Sequence, residues 1–338
     1  MLRILHLDAG RKYFNPTALR EILDTCAQAG LTHLELYFSD NQGFRFALED
    51  MTVQTSYGEY DLTPCLGDGY ADGEKSPCFS GGFLTAGEMR EILSYARQRG
   101  MDVIPVLNMP GHMGAILEKF PHLRYPGSRS SIDIRSPEAV AFALGLLQKY
   151  LDFFAGEGCR YFHFGGDEFA NDLGTMGFDR IYRDGTMKYF VSFANRVIAT
   201  IAGRGLTPMA FNDGIYYGGD KRTYGEIDNR LWVCYWIQGW DTYFPAGADF
   251  LAEEGFRLVN ANHKFYCGMG CRDWQERAAA MEGYDPHVFD RDTQIPDPAG
   301  AMLCFWSDRG NFDGPDGGIQ AAKNLAPIIR AFGRKMKL

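Results

Sequence analysis

The chain has 338 residues, 46% of them apolar, enough to bury one large core. With 43 acidic against 34 basic side chains the net charge is −9, which argues against nucleic acid or an anionic membrane as the main partner. The 8 cysteines are too dispersed for a small disulfide scaffold, and Cys159, Cys234 and Cys304 lie in apolar runs where a thiol acts as a small apolar group.

The predicted elements alternate along the chain. RILHL (3–7) reads as a strand. Asn15-Pro16 then reads as a cap and first helical position, with Leu19, Ile22, Leu23 and Cys26 at helical spacing and Gly30 as the stop. THLELYF (32–38) is a second strand. An irregular excursion over about 40–82, rich in Gly, Asp and Tyr, has the character of a binding loop. Thr85 and Glu88 have capping-box spacing before another helix. DVIPVLN (102–108), RYFHF (160–164), TPMAF (207–211), LWVCYW (231–236), FRLVNA (256–261) and AMLCFW (301–306) complete eight strands. Helices are expected from Ser136-Pro137, over 184–202, near 246–254 and over 319–332, the last with Pro327 predicting a kink. Only a short Gly-rich link joins the fifth and sixth strands, so the fifth helix is expected to be short or missing.

Eight β/α units without a dinucleotide fingerprint favour a closed (β/α)8 TIM barrel over a doubly wound sheet. No repeat or linker divides the chain, so residues 1–338 are read as a single domain. Charge interrupts the opening MLRILHLDAGRKYF too early for a secretory h-region, and no apolar run reads as membrane-spanning. A cytoplasmic location is expected, with a trimmed secreted protein as the alternative. His263, Cys267 and Cys271 match no usual zinc spacing, so neither a metal nor a cofactor is expected.

In such barrels the active site lies at the C-terminal ends of the strands. There the sequence places Asp8 and Arg11, then Asp40, Gln42 and Arg45, then Asn108 to His112. Gly165-Gly166-Asp167-Glu168 follows, then Asn212-Asp213, Trp236, Trp240, His263, Tyr266, Trp306 and Asp308. Acids and large aromatics dominate, which suits a neutral polyhydroxylated ligand. HFGGDEF (163–169) is the informative stretch. Adjacent residues of a strand face opposite ways, but two glycines can release the backbone and let both acids line one wall. A glycosidase using two carboxyls needs them on opposite sides of the scissile bond. Asp167 and Glu168 fit better a mechanism in which the substrate's own 2-acetamido oxygen attacks C1. On the other reading, Asp167 caps a helix and Glu168 complements its dipole.

HFGGDEF resembles the H-x-GGDE signature of family 20 glycoside hydrolases, the β-N-acetylhexosaminidases. RILHLDAGRKYF, LELYFSDNQGFR, FLTAGEMREILSYARQRGMDVIPVLNMPGH and LCFWSD resemble further family segments, in family order from residue 3 to residue 308. The resemblance implies Glu168 as general acid and later base. It implies Asp167 as the group that binds the acetamido N–H, and Tyr266 as donor to the acetamido oxygen, with Phe265 adjacent. Arg3 and Asp308 would bind sugar hydroxyls. Trp236 and Trp306 would wall the pocket, and Asp40 with His112 would support Glu168. Core or surface roles stay open for Arg3, Asp40, His112, Trp236 and Trp306. Where the family has a Trp after the fifth strand this chain has Phe211-Asn212, and Trp240 is the expected substitute.

The function implied is a retaining exo-β-N-acetylhexosaminidase acting on β-linked N-acetylhexosamine glycans through an oxazolinium intermediate. The alternatives are a lacto-N-biosidase, a sulfated-sugar relative, or a sugar-binding barrel without catalysis.

Overall fold

The odd and even positions of the first strand divide the core. In β1 (Leu2–Asp8) Ile4 and His6 point into the barrel, whereas Leu5 and Leu7 point out toward the helices. The same alternation continues through β2 (His33–Tyr37), β3 (Asp102–Met109), β4 (Tyr161–Gly165), β5 (Thr207–Phe211), β6 (Trp232–Tyr235), β7 (Arg257–Asn260) and β8 (Gly300–Trp306). All eight pair in parallel in chain order, and β8 returns to β1 from Leu2↔Gly300 to Leu7↔Phe305. The sheet is therefore a closed (β/α)8 barrel. A computed structural model describes residues 1–70, 81–174, 177–239, 243–268, 274–307 and 316–336.

The principal helices are α1 (Pro16–Ala29), α2 (Ala86–Gln98), α3 (Pro137–Gly156), α4 (Met187–Gly203), α5 (Ala248–Glu253), α6 (Trp274–Ala280) and α7 (Ile319–Lys335). Their ends follow the sequence signals. Asn15 accepts from Ala18 N, Thr85 and Glu88 form a reciprocal capping box, and Gly30 ends α1 in the left-handed region at φ 83°. α7 continues through Pro327. Between β5 and β6 the chain makes only a 3-10 turn, Tyr217–Gly219, in place of a fifth helix.

Two expectations need correction. The excursion after β2 is not wholly irregular. Ser39–Asp40, Gly43–Phe44 and Gly67–Asp68 form a small antiparallel sheet, and Thr52–Thr55 pairs with Gly58–Asp61 as a hairpin. That hairpin lies against α3, with Tyr60 Oη donating to Glu138. Arg45 anchors the excursion by donating to Gly10 O and Asp68 rather than to a ligand. Secondly, α3 is long and apolar enough to cross a membrane by length and composition. Its apolar face, including Val140, Leu144, Leu147 and Leu151, is instead buried in the core.

Candidate active site

The double glycine ends β4 abruptly. Gly165 and Gly166 have φ of 75° and 83°, and Glu168 is itself left-handed at 45°. A Cβ on Gly165 would sit 1.8 Å from Asn108 Oδ1, so no other residue fits there. The turn after β3 packs against this one, and a Cβ on Gly111 would meet Asp167 O at 2.7 Å. These close approaches bring His112, itself at φ 53°, under both acids. Its Nε2 lies 3.2 Å from Glu168 Oε2 and 3.5 Å from Asp167 Oδ2. Two neighbouring acids that a regular strand would separate thus converge on one nitrogen.

Behind His112 the network continues into the barrel wall. His112 Nδ1 is 3.2 Å from Asp40 Oδ2. Asp40 also accepts from Tyr37 Oη at 2.8 Å and pairs with Arg11 at 3.1 Å. Arg11 in turn pairs with Asp8 at 2.9 Å, and Ser307 N donates to the same Asp8 oxygen. Burial works against ionising Asp40, yet Arg11 and His112 hold its carboxyl below the usual carboxylate range. Burial likewise opposes charge on His112, but Asp167, Asp40 and Glu168 outweigh it and raise the imidazole well above its ordinary value. Burial raises Asp167, and Glu168 beside it adds to this against the pull of His112.

The pocket itself has a volume of about 300 Å³ and is lined by Arg11, the two acids, His112 and a set of aromatic rings. Trp236 and Tyr266 are near parallel, at 13° with centroids 6.2 Å apart, and Trp306 stands 5.8 Å from Tyr266. Phe211 completes the aromatic lining. Burial raises the Tyr266 phenol well above its usual range, so it keeps its proton and can donate. Phe265 turns away and packs edge-on against Tyr284, which separates the two adjacent rings that the sequence left side by side.

Several expected site residues lie elsewhere. Arg3 is at the start of β1, bonded through its backbone to Thr32, and points out of the barrel. It is five residues from Asp8, about 16 Å along an extended strand, and does not line the pocket. The cation in the lining is Arg11, from the same LDAGR stretch. Asp40 stands behind His112 and does not line the pocket, its side chain engaged by Tyr37, Arg11, His112 and Gln42 N. Trp240 and Asp308 fall outside the described residues.

One acid that the sequence places at the rim was given no role. Asp213 follows β5 and is fully buried. Its Oδ1 accepts from Glu168 N at 3.3 Å and from the Tyr243 hydroxyl, and its Oδ2 accepts from Trp236 Nε1 at 2.5 Å. Burial and nearby Asp167 push its carboxyl up to about 7. The neighbouring Asn212 bonds Trp236 N and Ile237 O. An Asn-Asp pair at a strand's C-terminal end was the available signal.

Among the described residues, Glu35, His163 and Cys234 approach one another closely enough to suggest a metal cradle. His163 Nδ1, however, accepts from Gly165 N at 3.0 Å. A neutral imidazole that accepts at Nδ1 carries its proton on Nε2, which then has no lone pair for a metal. Cys26, Cys65, Cys159, Cys234 and Cys304 are free thiols.

The comparisons with known proteins agree with this geometry. Residues 2–297 match the model for glycosyl hydrolase family 20, catalytic domain. Among curated relatives, a lacto-N-biosidase of Bifidobacterium bifidum is 24% identical over 252 residues, covering 68% of this chain and 21% of its own. A β-hexosaminidase of Vibrio vulnificus is 22% identical over 312 residues, covering 76% of this chain and 35% of its own. The chain thus spans about a fifth to a third of the length of these relatives. A solved catalytic module of the pneumococcal exo-β-D-N-acetylglucosaminidase StrH superposes with a TM-score of 0.88 at 28% identity, over 99% of this chain and 83% of that one. Dispersin B, at 22% identity, shares the fold with a TM-score of 0.77 over 99% of both chains. With the family model matching most of its length, the chain belongs to glycosyl hydrolase family 20, as a catalytic-domain barrel with its paired acids on the turn after β4.

Proposed function

We propose that this barrel hydrolyses terminal β-linked N-acetylhexosaminides with retention, the substrate's acetamide acting as nucleophile. The observation that carries this reading is Asp167. Its Oδ1 is buried and makes no hydrogen bond among the described residues, beside an acid partner on the same wall. A buried acceptor without a donor is costly in a resting protein and suits a ligand N–H. An acetamide N–H bound to Asp167 would turn the acetamide oxygen toward C1, and Tyr266 would hold that oxygen from the other side. Glu168, with a side chain 36% exposed, stands at the wetter edge where a leaving oxygen would lie.

The acetamide oxygen bonds to C1 while the C1–O bond to the leaving group breaks and Glu168 gives its proton to the departing oxygen. The cationic oxazolinium is held by ionised Asp167. Glu168, now a carboxylate, takes a proton from water as the water oxygen bonds to C1, and the acetamide is released. Trp236, Tyr266, Trp306 and Phe211 supply apolar faces for the ring and acetamide methyl, and Arg11 presents donors to sugar hydroxyls. A volume of about 300 Å³ is at the small end for ligand pockets and favours one sugar over a disaccharide.

The test is turnover of nitrophenyl β-N-acetylglucosaminide, its galacto epimer, the β-glucoside and the β-lacto-N-bioside by wild type and Glu168→Gln. Acetamido monosaccharides should be cleaved and the glucoside not. Equal turnover of the glucoside would remove the acetamide from the mechanism. Release of lacto-N-biose alone would move the enzyme to the disaccharide reading.

A further inference from the structure

Below the pocket, inside the barrel, lie buried groups that the proposed chemistry does not use. His6, Glu35 and His163 come from β1, β2 and β4, and each is fully buried. His6 Nδ1 lies 2.7 Å from Glu35 Oε1. One ring nitrogen of His163, one carboxylate oxygen of Glu35 and Cys234 Sγ fall within 4.8 Å of one another. The other face of His163 is engaged, with Nδ1 accepting from Gly165 N. The tautomer follows from that bond, so the ring proton sits on Nε2. Burial lowers His163 to about 4, in keeping with a neutral ring.

The Gly165 bond sits at an irregularity. Val106 pairs with His163, but the next partners are Met109 and Gly165, three residues along β3 against two along β4. Where the register slips, the Gly165 N–H passes to the His163 ring, and Gly166 N reaches Met109 O at 3.2 Å. Both bonds hold the start of the turn that presents Asp167 and Glu168. The imidazoles also back the pocket walls. His163 is 4.6 Å from the Phe211 ring, and His6 is 4.4 Å from that of Trp306.

We propose that His163 is a positioning residue for the 165–168 turn, acting through the bond that its Nδ1 accepts from Gly165 N. The inference rests on reading Asp167 and Glu168 as the reacting carboxyls. Its contribution is orientation: misplacing reacting groups by about 1 Å can cost on the order of 100-fold in rate.

Two substitutions separate positioning from packing. In His163→Asn the side-chain oxygen can accept from the N–H two residues on, as in an Asx turn, and so keeps the Gly165 bond. His163→Gln places its amide nearer the old Nε2 and gives up that bond. On an acetamido glycoside, His163→Asn should keep kcat within about tenfold, whereas His163→Gln should lose on the order of 100-fold in kcat with little change in KM. Equal losses in the two His163 variants, or wild-type kcat in His163→Gln, would overturn the proposal whatever the melting temperatures. Nitrogen NMR of the wild type gives a readout apart from turnover. A His163 proton on Nε2 is expected, and one on Nδ1 would overturn the proposal even in an active enzyme. Wild type that shows the Nε2–H tautomer but cleaves no acetamido sugar would sink the functional reading alone.

Discussion

His112 Nε2 lies 3.2 Å from Glu168 Oε2, so a residue after β3 holds the acid after β4. The contact is backed from behind by Asp40, 3.2 Å from His112 Nδ1, and through it by Arg11 and Tyr37. A cation this close favours the ionised form of a carboxyl, yet a general acid must carry a proton at working pH. His112 therefore orients Glu168 while placing a positive charge beside it. In His112→Ala the alkaline limb of kcat/KM should move to higher pH. Peak kcat should fall by roughly 10- to 100-fold as orientation is lost. A pH–rate profile reads both, and an unmoved limb would show that the imidazole carries no charge felt by Glu168.

Asp167 faces the pocket with one oxygen that makes no hydrogen bond among the described residues. Asp167→Asn keeps the shape but replaces an acceptor by an amide and removes the charge that would steady the oxazolinium. For acetamido substrates kcat should fall by about 100- to 1,000-fold, the scale seen when a positioned electrostatic group is removed. Single-turnover kinetics on a fast-leaving aryl glycoside would locate the loss in ring closure. An unchanged rate would return Asp167 to the role of a turn or helix cap.

How much of this was legible beforehand depends on whether a residue's role is local. The eight strands and the capped helices follow period and cap chemistry, which act within a few residues. The paired acids were legible because two glycines announce a backbone outside β geometry. Arg3 lies outside the pocket lining because its odd position in β1 faces outward, a facing set by its register with Ala301 across the closed barrel and not by its local sequence. Asp213 was placed at the rim without a role because its importance comes from Glu168, Trp236 and Tyr243, which lie far from it in sequence. The antiparallel pairing within 39–68 escaped for a similar reason, since its two-residue strands are too short to show a period.

The exchange of Arg3 for Arg11 can be checked directly. Arg11 lines the pocket, held by Asp8 and Asp40 with its guanidinium 5.6 Å from the Trp306 ring. Arg11→Ala would remove donors to the sugar and leave two buried acids without their cation. A rise in KM of about 10- to 100-fold is expected, in line with losing a charged hydrogen bond to the ligand. Arg3→Ala should leave kcat and KM within about twofold, as for a change away from the site. The reverse ranking would restore Arg3 as the hydroxyl ligand.

Asp213 gives a prediction in stability. Its folded-state carboxyl is raised to about 7 by burial and by Asp167, against an ordinary value of 3.8. A raised acid favours the fold while it is protonated. That contribution is complete below about pH 4 and is lost progressively as pH rises toward 7 and beyond. The loss is bounded by about 4 kcal/mol, since each pH step of displacement is worth roughly 1.4 kcal/mol; the Trp236 and Tyr243 donors favour the carboxylate and already hold the displacement to this size. Asp213→Asn cannot ionise. It pays a fixed cost for turning an amide toward Trp236 Nε1, but it escapes the pH-dependent loss. Thermal melts between pH 4.5 and 8.5 should show wild type ahead at the acid end, with its lead shrinking or reversing through neutrality. A lead that stays constant across that range would mean that Asp213 is ionised throughout, and the three donors around it would then outweigh its burial.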